Sequence, residues 1–137
     1  MFKIIWLLKR KAGMTPAQFR EHFERSHAPM AQKYVGHLLS EYRRNYLSEF
    51  RFDVEARTDG FAYEAREWTW DLLSEWVMPS EEAFNEVMRI MTEPRIAAEF
   101  REDSSKFSEQ VSTVMLRGEV VDTGAREGHL APRRKRT

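Results

Sequence analysis

The 137-residue sequence contains no cysteine, which excludes disulfides, thiol nucleophiles, iron–sulfur clusters and thiolate zinc sites. Its six glycines are scattered and never approach a G-x-G-x-x-G or phosphate-loop arrangement, so no motif for a nucleotide or flavin is present. No run reaches the ~20 apolar residues of a membrane helix. The short apolar segment between Met1 and Arg10 lacks the small-residue cleavage site of a signal peptide. These absences suit a cytoplasmic protein with no membrane partner. Charge of one sign is missing too: 22 basic and 22 acidic residues cancel, which argues against a nucleic-acid or other polyanion binder.

What is present fits one domain. Residues 1–121 carry the apolar patterning, and residues 122–137 read as a solvated basic tail ending in Arg133, Arg134, Lys135 and Arg136. Phe2 to Leu8 is a β-branched and aromatic run, apolar on both alternating faces, as expected of a strand covered on two sides. Thr15-Pro16 opens a helix, on which Phe19, Phe23 and His27 recur every fourth residue. Pro29 is expected to break or bend this helix, with a further turn to about Tyr34. Leu39 to Phe50 reads as a long strand. The densely charged stretch Arg51 to Glu67, with its Thr58-Asp59-Gly60 turn signal, reads as a long loop, ordered over a pocket by Phe61 and Tyr63.

Trp68 to Val77 alternates as a strand with Trp68, Trp70, Leu72 and Trp76 on one side. Ser80 caps a second helix with the stripe Phe84, Val87, Met88 and Met91. Pro94 starts a short helix through Phe100, and Val111 to Val121 forms a closing strand. The order β-α-β-β-α-β predicts an α+β, ferredoxin-like four-stranded antiparallel sheet with both helices on one face. Because the strands are apolar on both faces, the bare side needs a cover, and a second copy of the chain supplies it economically.

Met14-Thr15-Pro16-Ala17-Gln18-Phe19-Arg20-Glu21-His22-Phe23, followed by Ser26-His27-Ala28-Pro29-Met30, resembles the EthD family. Tyr42-Arg43-Arg44-Asn45-Tyr46 and the segment Asp71 to Trp76 strengthen the likeness, which spans about residues 1–121. The resemblance implies a homodimeric α+β barrel, in which two four-stranded sheets face each other. It also implies kinship with cofactor-independent monooxygenases, muconolactone isomerases and polyketide-tailoring cyclases and dehydratases. EthD itself is linked to degradation of an alkyl ether. A fold of this kind fixes a pocket better than it fixes a reaction.

His27 is the candidate acid or base, since imidazole is the side chain most easily poised near neutral pH. It could equally cap the last helical carbonyls or lock the Pro29 bend. His22, five residues earlier, is expected on a different side of the helix, and no metal-ligating cluster is discernible. Trp6, Trp68, Trp70 and Trp76 suggest a ring-lined pocket for a small apolar or aromatic molecule, or simply a well-filled core. Tyr42, Arg44 and Tyr46 share one strand face and could hold a substrate oxygen or form interface ion pairs. Asp71 could orient an imidazole or pair with an arginine. The expected site is therefore His27 with Tyr42, Arg44, Tyr46, Trp70 and Trp76, and no cofactor. A small-molecule enzyme is the first reading and a non-catalytic binding module the second.

Overall fold

Strand β1 (Phe2–Leu8) is an inner strand of the main sheet, paired on both edges. The computed structural model describes residues 1–49, 51–57, 60–65 and 70–128. The main sheet is antiparallel in the order β2 (Glu41–Tyr46), β5 (Leu72–Met78), β1, β6 (Val114–Glu119). Its register fixes two cross-strand rows on one face: Tyr42–Trp76–Ile4 and Arg44–Ser74–Trp6.

That face carries the helices. Thr15 and Gln18 form a reciprocal capping box, with Thr15 Oγ1 accepting from Gln18 N at 3.1 Å and Gln18 Oε1 accepting from Thr15 N at 2.9 Å. Helix α1 (Pro16–His22) then runs through a π-helical turn, Phe23–His27, directly into α2 (Ala28–Val35). Of the expected break or bend, the break at Pro29 does not occur: the run passes through an irregular turn just before it and continues to Val35, close to the expected end near Tyr34. The turn bonds Ala28 N–H to Phe23 O, five residues back. Pro29 follows where the bonding reverts to four, a junction that tolerates a missing donor. Ser80 caps α3 (Glu81–Met91) by accepting from Ala83 N at 3.1 Å, and Glu93 caps α4 (Pro94–Ser105). Helix α4 is thus five residues longer than its expected end at Phe100.

Ile4, Ala31, Val35, Trp76, Val87 and Phe100 form one end of the core between sheet and helices; Leu8, Phe19, Phe23, Leu72 and Phe107 form the other. The architecture is α+β and ferredoxin-like, with the helical layer on one face. Away from the helices, the sheet shows partly exposed Ile5, Leu7, Leu73 and Val114 and exposed Leu116, beside a 2.9 Å Lys3–Glu75 ion pair. Among the described residues, no helix is long and apolar enough to cross a membrane.

One expectation is overturned between β2 and β5. The stretch read as a loop contains an antiparallel hairpin, β3 (Arg51–Arg57) and β4 (Gly60–Ala65), with a bulge between Asp53 and Glu55. Its sequence alternates Arg51, Asp53, Glu55 and Arg57 with Phe52, Val54 and Ala56. That is a strand period of two obscured by the density of charge. Strand β5 starts at Leu72, so Trp70 precedes it, while Trp68 and Arg133 to Arg136 lie outside the described residues. Strands β2 and β6 are also shorter than their expected spans, and β6 follows a 3-10 turn at Gln110–Ser112.

Candidate active site

The π-helical turn sets the site. An α-helix would put residues 22 and 27 on different sides, as expected from their spacing. The wider π-turn admits about one extra residue and brings both rings to one carboxylate, a correction to that expectation. Asp103 on α4 is 4% exposed. Its Oδ1 accepts from Ser26 Oγ at 2.7 Å and lies 3.0 Å from His22 Nε2; its Oδ2 lies 2.9 Å from His27 Nδ1. Burial alone would raise Asp103, but the hydrogen bonds from Ser26, His27 and His22 hold it below its ordinary range.

An ionised carboxylate can only accept, so His27 carries its proton on Nδ1 and keeps a lone pair on Nε2. Burial pushes His27 below its usual 6.5, against the opposing pull of Asp103. The ring is therefore neutral at physiological pH, the state a general base requires. It is fixed by packing as well: the Phe23, Phe100 and Phe107 rings lie 5.1, 5.4 and 5.1 Å from it, centre to centre. His22 stacks on the same Phe107 ring at 4.8 Å.

His27 borders a cavity of about 120 Å³ between sheet and helices, with Trp6, Tyr42, Ser74 and Trp76 on the sheet side and Phe100 on the helical side. One water occupies roughly 10–15 Å³ measured this way, so the space suits a molecule of about one ring. Trp6 and Trp76 meet edge to face at 5.3 Å, and Tyr42 meets Trp76 at 6.2 Å. The Tyr42 phenol is pushed up to about 12, chiefly by burial, and so remains a donor. Among the described residues, Trp6 Nε1, Trp76 Nε1 and Ser74 Oγ are buried without a hydrogen-bond partner.

The structure thus brings together His27, Tyr42 and Trp76 of the expected site. Arg44 and Tyr46 share the Tyr42 face but are taken up by Glu24: Arg44 donates to both its oxygens at 2.7 and 2.9 Å, and Tyr46 Oη donates at 2.6 Å. The Arg44 hydrogen bonds, against the cost of burial and aided by Tyr46, hold Glu24 down at about 2. These two residues border a separate surface depression, and Trp70 borders neither space. Asp71 pairs with Arg10, accepting from its backbone N at 2.8 Å and its Nη1 at 3.4 Å; the carboxylate that orients an imidazole is Asp103 instead. The described residues contain no group placed to hold a metal ion.

Asp103, Ser74, Phe100 and Phe107 were not singled out from the sequence as site residues. Asp103 carries a legible signal: Ile96, Phe100, Asp103 and Phe107 are spaced 4, 3 and 4 apart, so a charge occupies an inward helical position.

Solved structures of several other proteins share the fold. An EthD-like protein from Ralstonia eutropha aligns at TM-score 0.56 and 17% identity, over 90% of this chain and 95% of its own. A protein of Arabidopsis thaliana aligns at 0.54 and 13%, over 91% of this chain and all of its own. HapK from Hahella chejuensis aligns at 0.53 and 15%, over 93% and 100%. At such identities the likeness speaks for the fold alone. No curated protein matches the sequence. The EthD domain model matches residues 11–110, which span the π-turn, both histidines and Asp103, and the chain belongs to the EthD domain family.

Proposed function

We propose that the protein is a small-molecule enzyme working by proton transfer, with His27 as general base and Asp103 as the group that orients it. The observation that carries this reading is the 2.9 Å contact from His27 Nδ1 to Asp103 on a ring bordering the apolar cavity. It supplies a fixed tautomer, a neutral imidazole and a place for a substrate. Isomerisation or dehydration of a small aromatic, polyketide-like or xenobiotic compound needs only proton movements of this kind and draws on no cofactor. Oxidation would need dioxygen as co-reactant. Tyr42 and Trp76 would line the substrate, while Arg44 and Tyr46 support β2 through Glu24.

The partly exposed apolar face of the sheet supports pairing with a second copy, which light scattering on the purified chain would test. For catalysis, the test is His27→Gln. Turnover should fall by about 10²–10⁴-fold with the fold unchanged by circular dichroism; undiminished turnover rejects His27 as the base. The small apolar cavity also suits a binding module, a reading that gains if wild-type protein returns a ligand unchanged and in stoichiometric amount.

A further inference from the structure

Asp103 offers one negative charge, and two imidazoles claim it. Oδ1 accepts from Ser26 Oγ at 2.7 Å and lies 3.0 Å from His22 Nε2, while Oδ2 lies 2.9 Å from His27 Nδ1. The two rings differ in their access to solvent. The His22 side chain is 24% exposed and that of His27 13%, with the Asp103 side chain at 5% between them.

An ionised carboxylate only accepts, so each ring donates to it through the nitrogen that faces it. His22 keeps a lone pair on Nδ1, as His27 does on Nε2. Either ring can take a further proton without breaking its bond to Asp103. The carboxylate can balance one imidazolium; a second would stand in a buried cluster without a counter-charge. Desolvation decides which ring is charged first, and the more exposed His22 suffers less of it.

Among the described residues, no other group facing the pair is free to supply that counter-charge. On their own helical run, Glu24 is bonded to Arg44 and Tyr46, and Arg25 pairs with Glu21. From α2 and α4, Tyr34 and Glu99 bond each other. From β2, Tyr42 borders the His27 cavity as a neutral phenol. The charges acting on His27 are Asp103, which favours its protonation, and His22, which opposes it.

We propose that His22 is a positioning residue for the base: competing for the single charge of Asp103 from the solvent side, it keeps His27 unprotonated into the acid range. Its use in catalysis rests on His27 acting as base; the competition itself does not. As pH falls, a solvent proton settles on His22 Nδ1 and the Asp103–His22 pair becomes neutral overall. His27 then lacks the uncompensated charge that would favour its imidazolium, and Nε2 keeps its lone pair for a substrate proton.

The test needs no ligand. Full-length protein with ¹⁵N-labelled histidine is titrated between pH 4 and 8, the two rings being identified by their loss in His22→Gln and His27→Gln. Glutamine at position 22 can still donate to Oδ1 but cannot carry charge. The His27 midpoint should therefore rise in His22→Gln by about half to one pH unit, roughly a three- to tenfold gain in proton affinity. Coupling is reciprocal, so the His22 midpoint should rise equally in His27→Gln. A purely structural role for His22 would leave the His27 midpoint in place, and a midpoint that stays or falls overturns the inference. Wild-type protein gives a check without substitution: His22 should titrate before His27 as pH falls, and the reverse order overturns the inference as well.

Turnover of His27→Gln is read separately. A raised His27 midpoint in His22→Gln with undiminished turnover in His27→Gln rejects the base and leaves the competition standing. An unmoved midpoint with turnover lost rejects the competition and keeps the base.

Discussion

His22 and His27 are five residues apart in sequence and share one carboxylate, at 3.0 Å from His22 Nε2 and 2.9 Å from His27 Nδ1. Asp103 reaches them from a helix 76 residues beyond His27. The carboxylate that holds the imidazole proposed as base therefore belongs to the second half of the ferredoxin-like repeat, and the imidazole to the first.

Activity should follow an acid limb with its midpoint below pH 6.5, the ordinary histidine value, because burial holds His27 neutral. The linkage to stability has a defined sign. The unfolded chain takes up the proton first as pH falls, so this residue's contribution is present above about 6.5 and is lost as pH drops toward the folded value. Rate profiles and denaturant titrations between pH 4 and 8 check both; a limb centred above 6.5 contradicts the assignment.

Asp103→Asn and Asp103→Ala should separate orientation from structure. The asparagine keeps an acceptor for the buried donors but permits the wrong imidazole tautomer, so turnover should fall sharply while the melting temperature moves little. The alanine leaves Ser26, His22 and His27 without their acceptor and should cost about 2–5 kcal/mol. Equal stability losses for the two would argue against an orienting role.

Glu24 is held at about 2 by Arg44 and Tyr46, and its side chain is 34% exposed. Its depressed value stabilises the fold above pH 4.5, with that contribution fading as pH falls toward 2. Solvent screening discounts the effect, so Glu24→Gln should cost about 1 kcal/mol at pH 7 and progressively less in acid. Urea titrations at neutral and acid pH measure the difference.

Phe107 is fully buried and touches both histidine rings as well as Phe19 and Phe23. Phe107→Ala should cost about 3–5 kcal/mol. Phe107→Leu, which preserves most of the volume, should cost less yet still loosen His27, read as broadened imidazole resonances.

The fold was legible because its signals are local and redundant: alternation in β1, the Thr15-Pro16 and Ser80 helix starts, and the element order. His27, Tyr42 and Trp76 were legible for the same reason, each lying on a recognisable element. The missing half of the site is non-local. Nothing near His27 announces Asp103, and the α4 pattern ends at Phe100 only if an inward charge is taken as its close. The π-turn was equally obscured, since Phe19, Phe23 and His27 satisfy an α-helical spacing on paper. Arg44 and Tyr46 were placed on the correct face, but no sequence feature revealed that Glu24, one helical turn from His27, would claim them.

The buried positions of the first helical segment are Phe19, Phe23, Ala28, Ala31 and Val35, with one interval of five where an α-helix would have four or three. Removing a single residue from that interval leaves spacings of 4, 4, 3 and 4, a regular α-helical stripe. The surplus residue is therefore dispensable for packing. Deleting exposed Arg25 leaves His22 and His27 four apart, a spacing that shares one face of a regular α-helix, so the variant should fold and keep both imidazoles on the side of Asp103. The π-turn thus reaches, with one residue more, a pairing that a helix one residue shorter would also allow.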